Sequence, residues 1–251
     1  MTDELAQQWS EIVRKIRERT PARVLAGRAG SSYRTASQLE LREAHAAAVD
    51  AVRDELDLTT SLGRTFCESH KLFEVSTMAS SKAEFLLRPD LGRRFSDEAR
   101  ATIKDRCRPN VDLQIAIGDG LSVAAIGAQV PQLLPLLTHN AFRRGWHLGQ
   151  PFVIRHCRVG ILNDIGELLS PTVTVLLIGE RPGLATAESL SAYLAFRPNQ
   201  NHSDADRNLV SNIHARGTPP AQAATRILDT VSAMMSQQIS GTKLNIPSLK
   251  P

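Results

Sequence analysis

Leu5, Trp9, Ile12 and Ile16 recur at spacings of four, three and four, which places them on one face of a helix with Arg14, Lys15 and Arg17 largely elsewhere. Thr20-Pro21 ends that helix, because proline disfavours helical continuation. Its apolar face is expected to pack on the body of the chain, with docking on another protein or on a membrane surface as the alternatives. Between Ala22 and Thr35, Gly27, Gly30, Ser31 and Ser32 read as a loop or turn. Ser37 with Glu40 matches a capping box, and Leu41, His45, Ala48, Val52 and Leu56 trace an apolar stripe after it. His45 on that stripe is expected to be packed and hydrogen-bonded. Residues 60–110 read as short helices and loops, with Phe85, Leu86 and Leu87 forming a helix end held against the core before Arg88-Pro89.

The second half changes character. VDLQIAI (111–117) reads as a strand opening into Gly118-Asp119-Gly120-Leu121-Ser122. VAAIGAQVPQLLPLL reads as a helix interrupted at Pro131 and Pro135. FVIRHCRV (152–159) and VTVLLI (173–178) read as further strands, the latter emptying into Gly179-Glu180-Arg181-Pro182-Gly183-Leu184. Helix is expected to resume over Glu188–Phe196, a fourth strand holds Leu209 to Ile213, and a last helix spans Pro220 to Gln237. Apolar strands alternating with helical stretches predict an α/β fold, a sheet covered by helices on both faces. The expected organisation is an amphipathic helix over 1–20, a largely helical wrapping region over 21–110, and an α/β domain over 111–251.

Composition narrows the setting. A chain of 251 residues buries roughly 70–75% of its extended surface on folding. Aromatic residues make up only 4%, so the core must be built from aliphatic side chains. The net charge of +4 comes from 30 basic and 26 acidic residues, a balance that does not point to nucleic acid. Arg88, Arg93, Arg94, Arg100, Lys104, Arg106 and Arg108 nevertheless cluster, as a solvated face or a local anion site. Cys67, Cys107 and Cys157 form no CxxC pair, which argues against a zinc knuckle, an iron–sulfur cluster or a disulfide scaffold and fits a reducing cytoplasm. The N-terminus lacks an apolar signal core and no 18-residue apolar span follows, so no membrane insertion is expected.

Ligands of open α/β sheets favour the loops beyond the carboxyl ends of the strands, which here are the Gly118–Gly120 and Gly179–Gly183 turns. No GxGxxG, no P-loop and no GxSxG is present. Ser122 and Asp119 lie too close in sequence to suggest a catalytic relay with a histidine. The histidines lack metal-ligand spacing, and His156 and Cys157, as neighbours on a strand, would face opposite sides. Asp204, Asp206, Arg207, Asn208 and Ser211–His214 form a dense polar set that must find partners, in a turn, a ligand site or an interface.

TPARVLAGRAGSSYRT, LREAHAAAVDAV, LLRPDLGRR, DLQIAIGDGLS, GQPFVIRHCRVGILNDIGE, LLIGERPGLATAESLSAYLAFRP and DRNLVSNIHARG occur in this order over most of the chain. Together they resemble the small subunit of ethanolamine ammonia-lyase. The resemblance implies adenosylcobalamin as cofactor, bound at an interface with a large subunit that holds most of the substrate contacts. It implies conversion of ethanolamine to acetaldehyde and ammonia by a deoxyadenosyl radical released on cobalt–carbon homolysis. It further implies that this chain alone is inactive, carries no catalytic or metal-ligating residue, and works in the cytoplasm or a bacterial microcompartment. The implied cofactor contacts are Val159 in CRVG, Glu180 in GERPGL and Leu209 in DRNLVSN. Leu209 departs from the family pattern, which often has cysteine there. Arg181 is a candidate partner for the cofactor phosphate or for a carboxylate. His214 stands in a near-match to a cobalamin-histidine motif and is expected not to be the axial ligand. The competing reading is a noncatalytic ligand-binding or assembly subunit of another α/β complex.

Overall fold

A computed structural model describes residues 3–19, 24–25, 27–183 and 186–246. Helix α1 (Asp3–Glu18) stops just before Thr20-Pro21, which lie outside the described residues, as do the side chains of Leu5 and Trp9. Its remaining apolar positions Ile12 and Ile16 are exposed. The glycine-rich stretch turns a short hairpin, β1 (Arg28–Ala29) and β2 (Ser32–Tyr33), around Gly30. Helix α2 (Thr35–Arg53) begins three residues earlier than the Ser37 cap would place it, with Arg34 as its cap, and ends before Leu56. His45 is exposed on α2, contrary to the packed position expected. The stripe contributes less burial than its period suggests, since Ala51 is the buried residue of α2.

Short helices α3 (Leu58–Leu62) and α4 (Arg64–Ser69) lead to strand β3 (Glu74–Ser76). Helix α5 (Lys82–Leu87) buries Phe85 completely while Leu87 points out, and α6 (Asp97–Arg106) follows. The second half runs β4 (Leu113–Gly118), α7 (Val123–Arg143), β5 (Phe152–Arg155), α8 (Ile161–Leu169), β6 (Val173–Gly179), β7 (Leu190–Phe196), β8 (Asn208–Ile213) and α9 (Pro220–Gln237). The strands form one mixed sheet in the order β3-β5-β4-β6-β7-β8, parallel from β3 to β6 and antiparallel across β7 and β8.

The period-two alternation of the strands builds two cores. Leu113, Ile115 and Ile117 with Val173, Val175 and Leu177 face α7 and α9. Ala116, Phe152, Ile154, Leu176 and Ile178 face α6 and α8. Burial on both faces explains why β4 and β6 read as unbroken apolar runs. The result is the α/β fold expected.

Three local expectations fail. Glu188–Phe196 contains no helix: LSAYLAF is β7, paired antiparallel with the whole of β6. Leu190, Ala192 and Leu194 fill the α7–α9 core, and that pairing overrides the helix propensity of Leu and Ala. Helix α7 passes both Pro131 and Pro135 without interruption. A mid-helix proline costs about 3 kcal/mol or more, and here Ile126, Val130, Leu133, Leu134 and Leu137, all essentially inaccessible, hold the helix against the sheet. Strand β5 ends at Arg155 rather than running to Val159, because His156 takes a left-handed backbone (φ 56°).

All three cysteines are free, and Cys107 and Cys157 are buried. Burial pushes the Cys107 thiol from 9.0 up to about 11 and pushes the Cys157 thiol well above its ordinary value too. The unfolded chain therefore releases its Cys107 proton earlier than the folded one as pH rises. That contribution is complete below pH 9 and is lost as pH climbs to about 11. Urea midpoints are expected to fall between these values for the native chain and to fall less for Cys107→Ala. An equal decline in both would remove Cys107 as the cause.

Candidate functional site

Helix α7 leaves β4 on one face of the sheet and α8 leaves β5 on the other. Adjacent parallel strands whose connections diverge in this way open a crevice at their carboxyl ends. Asp119 closes its base. This fully buried carboxylate accepts the backbone N–H groups of His156 (2.9 Å) and Cys157 (2.8 Å), which ties the β4 turn to the residues after β5. Lys82, 5% exposed, reaches in from α5, its Nζ 3.7 Å from Asp119 Oδ2 and donating to the Gly120 carbonyl at 3.2 Å. Burial pushes the Asp119 carboxyl above its ordinary range, opposed first by Lys82 and then by the two N–H groups.

The β4 turn also locks against the end of β6. The Leu121 N–H donates to the Gly179 carbonyl at 3.1 Å. Gly120 has φ +57°, and a Cβ there would sit 2.3 Å from that same carbonyl, so only glycine permits this approach. Above this floor lies a cleft of about 260 Å³ lined by Val159, Ile178, Glu180, Arg181, Tyr193 and Leu209, among others. Val159, Glu180 and Leu209, the three residues singled out in the sequence, thus come together from three distant segments.

Their surroundings differ. Glu180 is half-buried and already engaged: its carboxylate accepts Ser189 Oγ (2.6 Å), Ser191 Oγ (2.5 Å) and the Asn212 N–H (3.0 Å). A carboxylate offers about four acceptor positions, so capacity remains on the cleft side. Leu209 is 49% exposed, a large apolar side chain presented to solvent at the cleft rim. Val159 opens the turn into α8. Arg181 is exposed and makes no ion pair among the described residues, while Leu184 of the same turn lies outside them.

Tyr193 escaped sequence reasoning because Glu188–Phe196 was read with a helical period. A strand period puts Ser191 and Tyr193 on one side, and both line the cleft. Burial, then the Glu180 charge, pushes the Tyr193 hydroxyl up. Lys82 escaped too, and no local signal marks it: it stands 37 residues before Asp119 and meets it only in the folded chain.

Several alternatives find no geometry. Ser122 Oγ donates to the Ala187 carbonyl, and the Asp119 carboxylate is spent on backbone N–H groups. The His156 ring turns away to the Ala79 carbonyl and Glu55 Oε2, both at 3.1 Å. No nucleophile–base relay therefore forms among these residues. His156 and Cys157 do not alternate across a strand, as expected earlier, since the left-handed turn at His156 buries both. The polar set near residue 204 is largely satisfied within itself: Asp206 accepts Ser203 N and Oγ, and Arg207 binds Asp204 and Asn163. His214 is buried beside Gly217 and does not line the cleft. Among the described residues no group of His, Cys, Asp or Glu is placed to hold a metal ion, and no helix is long and apolar enough to cross a membrane.

The fold is that of an α/β protein with a cleft at its strand-end loops and, among the described residues, no nucleophile–base pair beside it. The family follows from comparison. Residues 10–245 match the model of the ethanolamine ammonia-lyase light chain (EutC), and the chain belongs to that family. Similar relatives include the ethanolamine ammonia-lyase small subunits of Clostridium perfringens (39% identical, covering 93% of this chain and 77% of the relative) and Clostridium acetobutylicum (38%, covering 94% and 95%). That of Fusobacterium nucleatum is 40% identical over 92% of this chain and 77% of its own length. The chain is therefore a subunit of a lyase complex, and a small subunit implies a large partner.

Proposed function

We propose that this chain forms one wall of an adenosylcobalamin site shared with the large subunit, in the complex that converts ethanolamine to acetaldehyde and ammonia. The observation that carries this reading is the convergence of Val159, Glu180 and Leu209 on a single cleft. The residues present suit a corrinoid. Val159, Ile178 and Leu209 offer an apolar surface, and Glu180 offers a carboxylate to the amides that fringe the ring. Leucine in place of the cysteine common in the family is compatible with packing, since Leu209 lies at the rim. A cleft of about 260 Å³ is far too small to enclose a corrinoid, which favours a wall over a complete site.

When bound, adenosylcobalamin supplies the radical that initiates the reaction, and the protein supplies position and exclusion of competing chemistry. In this division of labour Val159 and Leu209 would hold the corrin by apolar contact. Glu180, itself held by Ser189, Ser191 and Asn212, would accept hydrogen bonds from the amides of the corrin. Substrate contacts belong to the large subunit, so the isolated chain is inactive. The same reading assigns the complex to the cytoplasm or a bacterial microcompartment.

Co-expression with the large subunit tests this. The two chains are expected to co-purify, and acetaldehyde to form from ethanolamine only when both subunits and adenosylcobalamin are present. Failure to co-purify, or acetaldehyde formation by the small subunit alone, would sink the assignment.

A further inference from the structure

Next to the cleft, and sharing Arg158 and Val159 with it, lies a second and larger one of about 660 Å³ lined by Arg93, Arg94, Gly160, His202 and Arg207, among others. Its charge is one-sided. Arg93, Arg94 and Arg158 make no ion pair and no side-chain hydrogen bond among the described residues. The two acids on its wall are engaged elsewhere or with a fourth arginine: Asp90 holds Arg88 at 2.7 Å, and Asp204 holds Arg207.

The arginines are positioned rather than merely clustered. The Arg158 N–H donates to the Gly92 carbonyl at 2.8 Å, which sets Arg93 beside Arg158. A Cβ on Gly92 would lie 2.7 Å from the His156 carbonyl and 2.8 Å from Arg158 Cγ, so this approach depends on glycine. The Arg158 guanidinium rests over the Phe85 ring at 4.4 Å, and Phe85 is fully buried. Arg207 has a side chain only 5% exposed, and its Nε, like Arg158 Nε and His202 Nδ1, is buried without a hydrogen-bond partner among the described residues. Helix α8 begins at this wall, with Gly160 as its cap, adding the positive end of its dipole. Burial and then the charges of Arg93 and Arg181 hold the Arg158 guanidinium below its ordinary value, and Arg207 is lowered by burial and by Arg93. Like charges held together at a partly buried wall call for an anion.

We propose that this cleft binds a phosphate group, with Arg93 and Arg158 as its principal partners and Arg94 and Arg207 beside them. Guanidinium forks suit a tetrahedral anion, because each can bond two of its oxygens. The phosphate belongs either to the nucleotide tail of the cofactor, a source that rests on the reading above, or to a free phosphate ligand. The exposed Arg181 thereby gives way to Arg158 as the main phosphate partner on this chain.

The test uses the complex with its large subunit and measures binding of adenosylcobalamin, of adenosylcobinamide (which lacks the nucleotide tail and its phosphate) and of inorganic phosphate. Arg158→Gln and Arg93→Gln are compared with the native complex. Arg93 is exposed, so its variant folds even if Arg158→Gln does not. Loss of a charge-assisted contact is expected to weaken adenosylcobalamin by roughly tenfold or more, with adenosylcobinamide affinity unchanged. If neither corrinoid binds the native complex but phosphate does, and the variants lose phosphate, the cofactor reading fails and the phosphate site stands. Equal weakening of both corrinoids, or no change in any of the three affinities, overturns the proposal.

Discussion

Asp119→Ala is expected to lower the unfolding free energy by about 3–5 kcal/mol, the usual cost of leaving one partner of a buried ion pair without the other. The loss has two sources. Lys82 Nζ would stay buried with the Gly120 carbonyl and the Phe85 ring, 5.3 Å away, as its remaining company. The N–H groups of His156 and Cys157 would lose their acceptor. At His156 that same bond helps hold the left-handed backbone. Against a total stability of roughly 5–15 kcal/mol for a domain, such a change threatens folding at growth temperature. Urea denaturation of the purified complex measures it. Lys82→Met added to Asp119→Ala removes the orphaned charge while keeping the stem volume, so the double variant is expected to recover part of the loss. A cost under about 1 kcal/mol for Asp119→Ala would show that the ammonium finds water and that the pair is not the clasp of the site.

Glu180→Ala should lower adenosylcobalamin affinity in the complex by at least about tenfold, and it should also loosen the protein. The two effects share one origin. The carboxylate that faces the cleft is the group that gathers Ser189, Ser191 and Asn212, linking the end of β6 to β7 and β8. Removing it strands these donors at about 1–3 kcal/mol if they stay buried, less where Asn212 is exposed and water replaces the bond. Glu180→Gln separates the roles. It keeps the shape and one oxygen acceptor, so the thermal midpoint should return close to native. It replaces a charged acceptor with a neutral one, roughly halving the strength of each bond to a cofactor amide. Stability restored with affinity still reduced is the expected pattern. Full recovery of affinity in Glu180→Gln would make Glu180 a loop anchor that does not touch the cofactor.

Much of the fold was legible because buried parallel strands leave a plain trace. Leu113–Gly118 and Val173–Gly179 are buried on both sides and read as apolar runs. Pro220–Gln237 carries a helical stripe of Ala223, Ile227, Val231 and Met234, all buried, and its observed limits match those expected. The misreadings fall where local preference yields to packing. LSAYLAF contains residues at home in a helix, yet β6 needed an antiparallel partner. Pro131 and Pro135 forbid two hydrogen bonds of α7, and the buried face of that helix outweighs them. His45 had the right period but no neighbour to cover it.

The sequence by itself determined the α/β class, the strand-end glycine turns and the ordered motifs that mark the family, because each is written in nearest-neighbour periodicity or in contiguous residues. It also named Val159, Glu180 and Leu209, though only through likeness to that family. Only the tertiary structure decided that these three line one cleft, that Lys82 clasps Asp119, and that Arg93 and Arg158 stand together at a second cleft. Those pairings join residues tens of positions apart, and their energy exists only after the sheet has brought the loops within a few ångströms and excluded water from between them.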